Sequence, residues 1–108
     1  VKVAYKVWID NNGKAFGEGP YRLLKLIEKN GSLNRAASEM KISYRKAWKI
    51  LKMIEETLGF ELIERKIGGT EGGGSLITER GKDMIKNYEM FRKEVKISLE
   101  KIFKKYFG

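Results

Sequence analysis

The chain contains no cysteine and no histidine. The first absence excludes disulfides and thiolate metal sites and fits a cytosolic home. The second removes the commonest general base and metal ligand. No apolar run approaches the roughly 18 residues of a membrane span. The N-terminus alternates instead of carrying a charged segment and an apolar block, so no signal peptide is read there. Acidic residues are also in short supply, 14 against 23 Lys and Arg, for a net charge of +9. Such a balance favours a polyanion as partner. A Lys-rich solvated surface is the alternative, so the placement of the charge has to decide. With 108 residues, 42% hydrophobic and 34% charged, the chain suits one modest soluble domain.

Val1, Val3, Tyr5, Val7 and Ile9 alternate with Lys2, Ala4, Lys6, Trp8 and Asp10. Period two over this stretch predicts a half-buried strand. Asn11-Asn12-Gly13-Lys14 supplies hairpin-turn chemistry, and Ala15 to Gly17 returns as a short second strand. Pro20 suits a first helical turn; Leu23, Leu24, Leu26 and Ile27 continue that helix to about Lys29, and Asn30-Gly31 ends it.

Ser32 reads as the N-cap of a short helix from Leu33 to Met40, with Leu33, Ala36, Ala37 and Met40 on its buried face. Small residues there let a second helix cross at close range. Lys41-Ile42 makes a turn and Ser43 caps a helix from Tyr44 to Leu58, which Gly59 stops. Ala47, Ile50, Leu51, Ile54 and Leu58 share one face, with Arg45, Lys49 and Lys52 opposite. Phe60 to Lys66 reads as a strand, with Phe60, Leu62 and Glu64 facing away from Ile63 and Arg65. The glycine-rich run Gly68-Gly69-Thr70-Glu71-Gly72-Gly73-Gly74 follows, then a strand at Ser75-Leu76-Ile77. Thr78 caps a long helix that runs to Tyr106, on the order of 40 Å.

Two helices in tight succession, then a strand, a glycine loop and a strand, predict a winged helix-turn-helix. The fold class is mainly α with small β elements: an N-terminal β-hairpin precedes the motif and a long C-terminal dimerisation helix follows it. The division is 1–78 for the DNA-binding domain and 79–108 for the helix. Between Asn34 and Lys52, six cations (Arg35, Lys41, Arg45, Lys46, Lys49, Lys52) face one anion, Glu39. The expected partner is double-stranded DNA, with the N-terminal part of the second helix in the major groove.

Arg45 can donate two parallel hydrogen bonds to a guanine edge, while Lys49 and Lys52 suit phosphates. Ser43 and the first amides of its helix can hold a phosphate at the positive end of the dipole. The DNA-binding set is therefore Ser32, Asn34 and Arg35, then Ser43, Tyr44, Arg45, Lys46, Trp48, Lys49 and Lys52, with Arg65 and Lys66 beside the wing. Trp48 either packs on the first helix of the motif or meets DNA sugars and thymine methyls; Tyr44 lies nearer the groove-entering end.

The glycine loop lacks the Gly-Lys-Ser/Thr ending and the strand-to-helix context of a phosphate-binding loop, so a wing tip is the better reading. Glu55, Glu56, Glu61 and Glu64 have no partner base or metal triad; Glu55 and Glu56 read as solvated or paired with Lys52 and Lys49. No enzymatic activity, cofactor, metal or membrane partner is expected, and the location expected is cytoplasmic.

On the C-terminal helix Met84, Tyr88, Phe91, Val95, Leu99, Ile102 and Tyr106 recur at spacings of 4, 3, 4, 4, 3 and 4. A seam this continuous usually buries itself. The first three turns serve the chain's own domain; past Glu94 the helix outruns it, and a homodimer is expected. A twofold dimer would place two recognition helices roughly 34 Å apart on an inverted repeat.

Gly31-Ser32-Leu33-Asn34-Arg35-Ala36-Ala37, Ile42-Ser43 and the run from Glu55 to Arg65 resemble the LysR-type helix-turn-helix. Ser43-Tyr44-Arg45-Lys46-Ala47-Trp48, the glycine wing and Phe16-Gly17-Glu18-Gly19-Pro20 resemble the DNA-binding domain of the molybdate-dependent transcriptional regulators, the ModE family. The resemblance implies a homodimeric transcription factor on a palindromic operator, its recognition helix beginning at Ser43-Tyr44-Arg45. Full-length members of that family carry a C-terminal pair of oxyanion-binding domains, and these residues include no such molybdate site. Either these residues are a fragment of such a protein, or they form a stand-alone member without a built-in sensor, its effector sensed by a separate partner. Lys41 departs from the glycine the family often has at the turn. The alternative function is a winged-helix module that pairs with a protein or coats DNA without preference.

Overall fold

The computed structural model describes residues 1–66 and 74–108. In chain order the elements are β1 (Ile9–Asp10), β2 (Lys14–Phe16), α1 (Glu18–Asn30), α2 (Leu33–Glu39), α3 (Tyr44–Leu58), β3 (Ile63–Lys66), β4 (Gly74–Ile77) and α4 (Glu79–Phe107). Each helix boundary has a local cause. Gly31 and Gly59 close α1 and α3 in the left-handed conformation at φ 68° and 84°, where a side chain would be strained. Ser32, Ser43 and Thr78 open α2, α3 and α4, each side-chain oxygen accepting a backbone N–H from the first turn.

Two antiparallel hairpins flank this helical framework. In the first, Ile9 faces Phe16, and the Asn11 amide donates to the Thr57 carbonyl oxygen (3.1 Å), docking the turn on the end of α3. In the second, Ile63 faces Ile77 and Arg65 faces Ser75. The Ser75 amide donates to the Gly31 carbonyl oxygen (2.9 Å), which ties the wing to the end of α1.

The core runs through every layer: Phe16 from the first hairpin, Leu23, Leu24 and Ile27 from α1, Leu33 from α2, Leu51 and Ile54 from α3, Leu62, Ile63 and Ile77 from the wing, Ile85 and Tyr88 from α4. Ala36, Ala37 and Ala47 are fully buried where α2 crosses α3. With only a methyl group at each of these positions, the two helices can approach closely. The turn between them carries Lys41 at φ 60°, a left-handed lysine.

The structure corrects several expectations. The alternating N-terminus forms a strand only at Ile9–Asp10, because β2 offers hydrogen bonds to no more than that stretch. The residues before it lie against the distal half of α4, where Val1, Val3 and Tyr5 line a cavity of about 450 Å³ with Lys96, Glu100 and Phe103. The helix past Glu94 is therefore accompanied by its own chain. The third strand begins at Ile63, not Phe60; Leu62 and Ile63 are both buried, so the expected alternation across this stretch does not hold.

Tyr88, expected on the partner-facing seam, is 2% exposed and belongs to the core. Its ring meets Phe16 edge-on at 5.1 Å and Tyr21 at 5.3 Å. Its hydroxyl donates to Glu18 at 3.0 Å, and Arg92 pairs with the same carboxylate. Met84 packs against the same core. Phe91, Ile102 and Tyr106 remain exposed, with Val95 and Leu99 half-buried between them.

Candidate nucleic-acid interface

Helix α3 stands on the core through Ala47, Leu51 and Ile54. Period 3.6 then sends Arg45, Lys49 and Lys52 to the opposite face, and Arg45, Lys46, Lys49 and Lys52 are all exposed. The first turn of α3 carries no acidic residue. Ser43 Oγ accepts the Lys46 amide at 3.0 Å, so the hydroxyl serves as the cap, leaving the earlier amides for an incoming oxygen. On α2, Ser32 Oγ accepts the Arg35 amide at 3.2 Å, and Asn34 and Arg35 are exposed.

The one anion of this segment, Glu39, accepts from Asn30 at the end of α1 at 3.3 Å. Lys52 is bound to Glu55 at 3.2 Å, and its ammonium also lies 5.6 Å from the Trp48 ring. The ion pairs of the described residues leave Arg45, Lys46 and Lys49 to solvent. Trp48 is 39% exposed and is not a core residue.

The wing joins this surface through one specific contact. Arg65 Nη2 donates to the Tyr44 hydroxyl at 2.5 Å, and the guanidinium carbon sits 6.0 Å from the Tyr44 ring. The first residue of α3 and the cation at the wing base thus lie side by side. Lys66 pairs with Gly74 in the β3–β4 register; its side chain, and the expected wing tip from Gly68 to Gly73, lie outside the described residues.

Sequence reasoning missed Glu55. It is 7% exposed, and its Oε2 accepts the amides of Leu62 (2.7 Å) and Ile63 (3.4 Å). The expected pairing with Lys52 is present, but Glu55 is not solvated. No residue-type signal announces this, because its partners are backbone groups that the chain brings back beyond the Gly59 cap. Arg80, also not singled out, stacks over Phe60 at 4.0 Å.

Among the described residues no group of three or more carboxylates could hold a metal ion, and no helix is long and apolar enough to cross a membrane.

Residues 21–82, more than half of the chain, match the bacterial regulatory helix-turn-helix protein, lysR family. The chain belongs to that family. The LysR-type match runs from within α1 to the first turn of α4, and relatives of the ModE type support a ModE-like DNA-binding domain. The Molybdenum transport protein ModE of Azotobacter vinelandii is 32% identical over 90 residues, covering 83% of this chain and 33% of the relative. The Transcriptional regulator ModE of Haemophilus influenzae is 36% identical over 72 residues, 67% of this chain and 28% of the relative. The DNA-binding transcriptional dual regulator ModE of Escherichia coli is 35% identical over 68 residues, 63% and 26% respectively. The chain thus spans a third or less of the length of these relatives.

Proposed function

We propose that this LysR-family, ModE-like domain makes the chain a sequence-specific DNA-binding transcriptional regulator acting as a homodimer on an inverted repeat. The observation that carries the reading is the surface shared by α3 and the wing. Arg45, Lys46 and Lys49 stand in solvent beside the Tyr44–Arg65 pair, on a helix whose first turn holds no anion. Arg45 reads a guanine edge in the major groove; Lys46, Lys49 and the α3 amides hold phosphates; Arg65 reaches the backbone or the minor groove beside the wing.

The dimer is supported by the apolar remainder of α4. Phe91, Ile102 and Tyr106 are exposed in line with Val95 and Leu99, and a second copy of the helix is the simplest cover. A link to molybdenum or oxyanion metabolism is supported by the names of the relatives alone. Among the described residues every buried side-chain nitrogen and oxygen has a partner. Among the described residues no buried side-chain donor is thus left over for an oxyanion.

The test is retention of sheared genomic DNA at about 0.15 M salt, where bare phosphate attraction is weakened, followed by sequencing. Enrichment of an inverted repeat supports the proposal. Retention without enrichment leaves a non-specific DNA-coating module, and no retention points to a protein partner.

A further inference from the structure

We infer that Glu55 is a positioning residue for DNA recognition: it holds the wing strand at a set pitch to α3, so that Arg65 and the start of the recognition helix reach one duplex together. The inference rests on the DNA-binding reading above. A buried carboxylate is costly unless its oxygens are satisfied. Here Oε2 takes the Leu62 and Ile63 amides at 2.7 and 3.4 Å and Oε1 takes the Lys52 ammonium at 3.2 Å. Two of the three partners are main-chain groups. The restraint therefore acts on the path of the backbone, and not on a side chain that can swing away.

Arg65 follows Ile63 by two residues on β3, and it is bound in turn to Tyr44. The wing strand is thus tied to α3 twice, near the helix C-terminus by Glu55 and at its first residue by Tyr44. The same carboxylate draws Lys52 to itself, while Arg45 and Lys49 on the same helix face stay in solvent. Loss of the first tie removes the side-chain restraint on the Leu62 and Ile63 amides, and an Arg65 carried on a less restrained strand contributes less to binding even when the rest of the domain is folded. Holding groups in their productive geometry by a supporting shell is what makes a recognition surface act as a unit.

A double-mutant cycle on DNA affinity tests this, using a labelled duplex that carries the enriched repeat. In the wild type, Arg65→Ala is expected to weaken binding about tenfold. In a Glu55→Ala background the same change is expected to cost less than about twofold, because the wing contact is already lost. Glu55→Gln, whose amide oxygen still accepts from the Leu62 amide, is expected to retain the wild-type response.

A role in stability alone would lower the folded fraction and leave the Arg65 increment unchanged. If Glu55→Ala does not fold, Glu55→Met, which fills the same space without an acceptor oxygen, takes its place in the cycle. An Arg65→Ala effect of equal size in every background overturns the inference, as does its absence in the wild type or its loss in Glu55→Gln. A wild type that binds no duplex at all overturns the DNA-binding reading, and this inference with it.

Discussion

Replacing Gly81 by alanine sets helix propensity directly against steric fit. Gly81 is buried in the first turn of α4. Propensity alone favours alanine there by about 1 kcal/mol. A Cβ at this position, however, would lie 2.5 Å from the Leu62 carbonyl oxygen and 2.8 Å from Ile77 Cγ2. The first contact falls about 1 Å inside the optimum of ~3.5 Å and is with backbone.

Leu62 cannot simply retreat. Its carbonyl oxygen accepts the Thr78 amide at 3.0 Å, and its own amide is held by Glu55 at 2.7 Å. The Thr78 hydroxyl donates to the Glu61 carbonyl oxygen at 2.7 Å and accepts the Gly81 amide at 2.9 Å. Relief therefore means backing α4 away from the wing base. That weakens a hydrogen bond, costing about 1 kcal/mol, and adds overpacking strain of about 1–3 kcal/mol. The first cost offsets the propensity gain, so Gly81→Ala is expected to destabilise the protein by about 1–3 kcal/mol. Urea unfolding followed by circular dichroism, at one fixed protein concentration, reads this as a lower midpoint with unchanged m-value. A variant as stable as the wild type, or more so, refutes the close approach of α4 to the wing.

Lys41→Gly relieves the left-handed lysine at φ 60° and is expected to raise stability by about 0.5–1 kcal/mol in the same assay, the glycine's greater freedom in the unfolded chain offsetting part of the gain; a loss would show that the turn is not strained. Burial, then its hydrogen bond to Glu18, pushes the Tyr88 hydroxyl up to about 12 from 10.0. The unfolded chain therefore gives up this proton first, so stability present below pH 10 drains away between pH 10 and about 12, by on the order of 2–3 kcal/mol. Tyr21, raised by burial and by its bond to Glu89, works in the same direction. Tyr88→Phe should make the alkaline fall shallower, and an equally steep fall would sink the assignment. Arg45→Ala is expected to weaken binding by about 1–3 kcal/mol and to blur preference at one base pair; equal loss on cognate and scrambled duplexes would remove its reading role.

The helical framework was legible because its signals are local. Ser43 with the residues after it specifies a start, Gly59 specifies a stop, and the apolar spacing of Ala47, Leu51 and Ile54 specifies a buried face; α3 accordingly runs over Tyr44–Leu58, as its caps predict. Ala36 and Ala37 announce a close crossing for the same reason, since size alone sets how near a second helix comes. The basic face of the motif was legible too, because a helix whose apolar side is fixed has no choice about where its other side points.

Strands and long-range contacts are different, because each needs a partner that sequence order does not name. Val1 to Asp10 has the alternation of a strand over its whole length, but β2 is too short to pair with more than its end. Tyr88 sits at a seam spacing shared with Phe91 and Ile102; only the arrival of Phe16 and Tyr21 turns it from a surface residue into the core. Glu55 carries the point furthest. Its neighbours in sequence, Lys52 and Glu56, describe an ordinary solvated helix face. Burial and the amides of Leu62 and Ile63 come from the chain doubling back beyond Gly59. The sequence alone determined which residues form helices and which face carries charge, because capping and periodicity are settled within a few residues. The pairing of β1, the burial of Glu55 and the placing of Tyr88 came from the fold instead, because hydrogen-bond partners for a strand, a carboxylate or a tyrosine exist only once distant segments have been brought together.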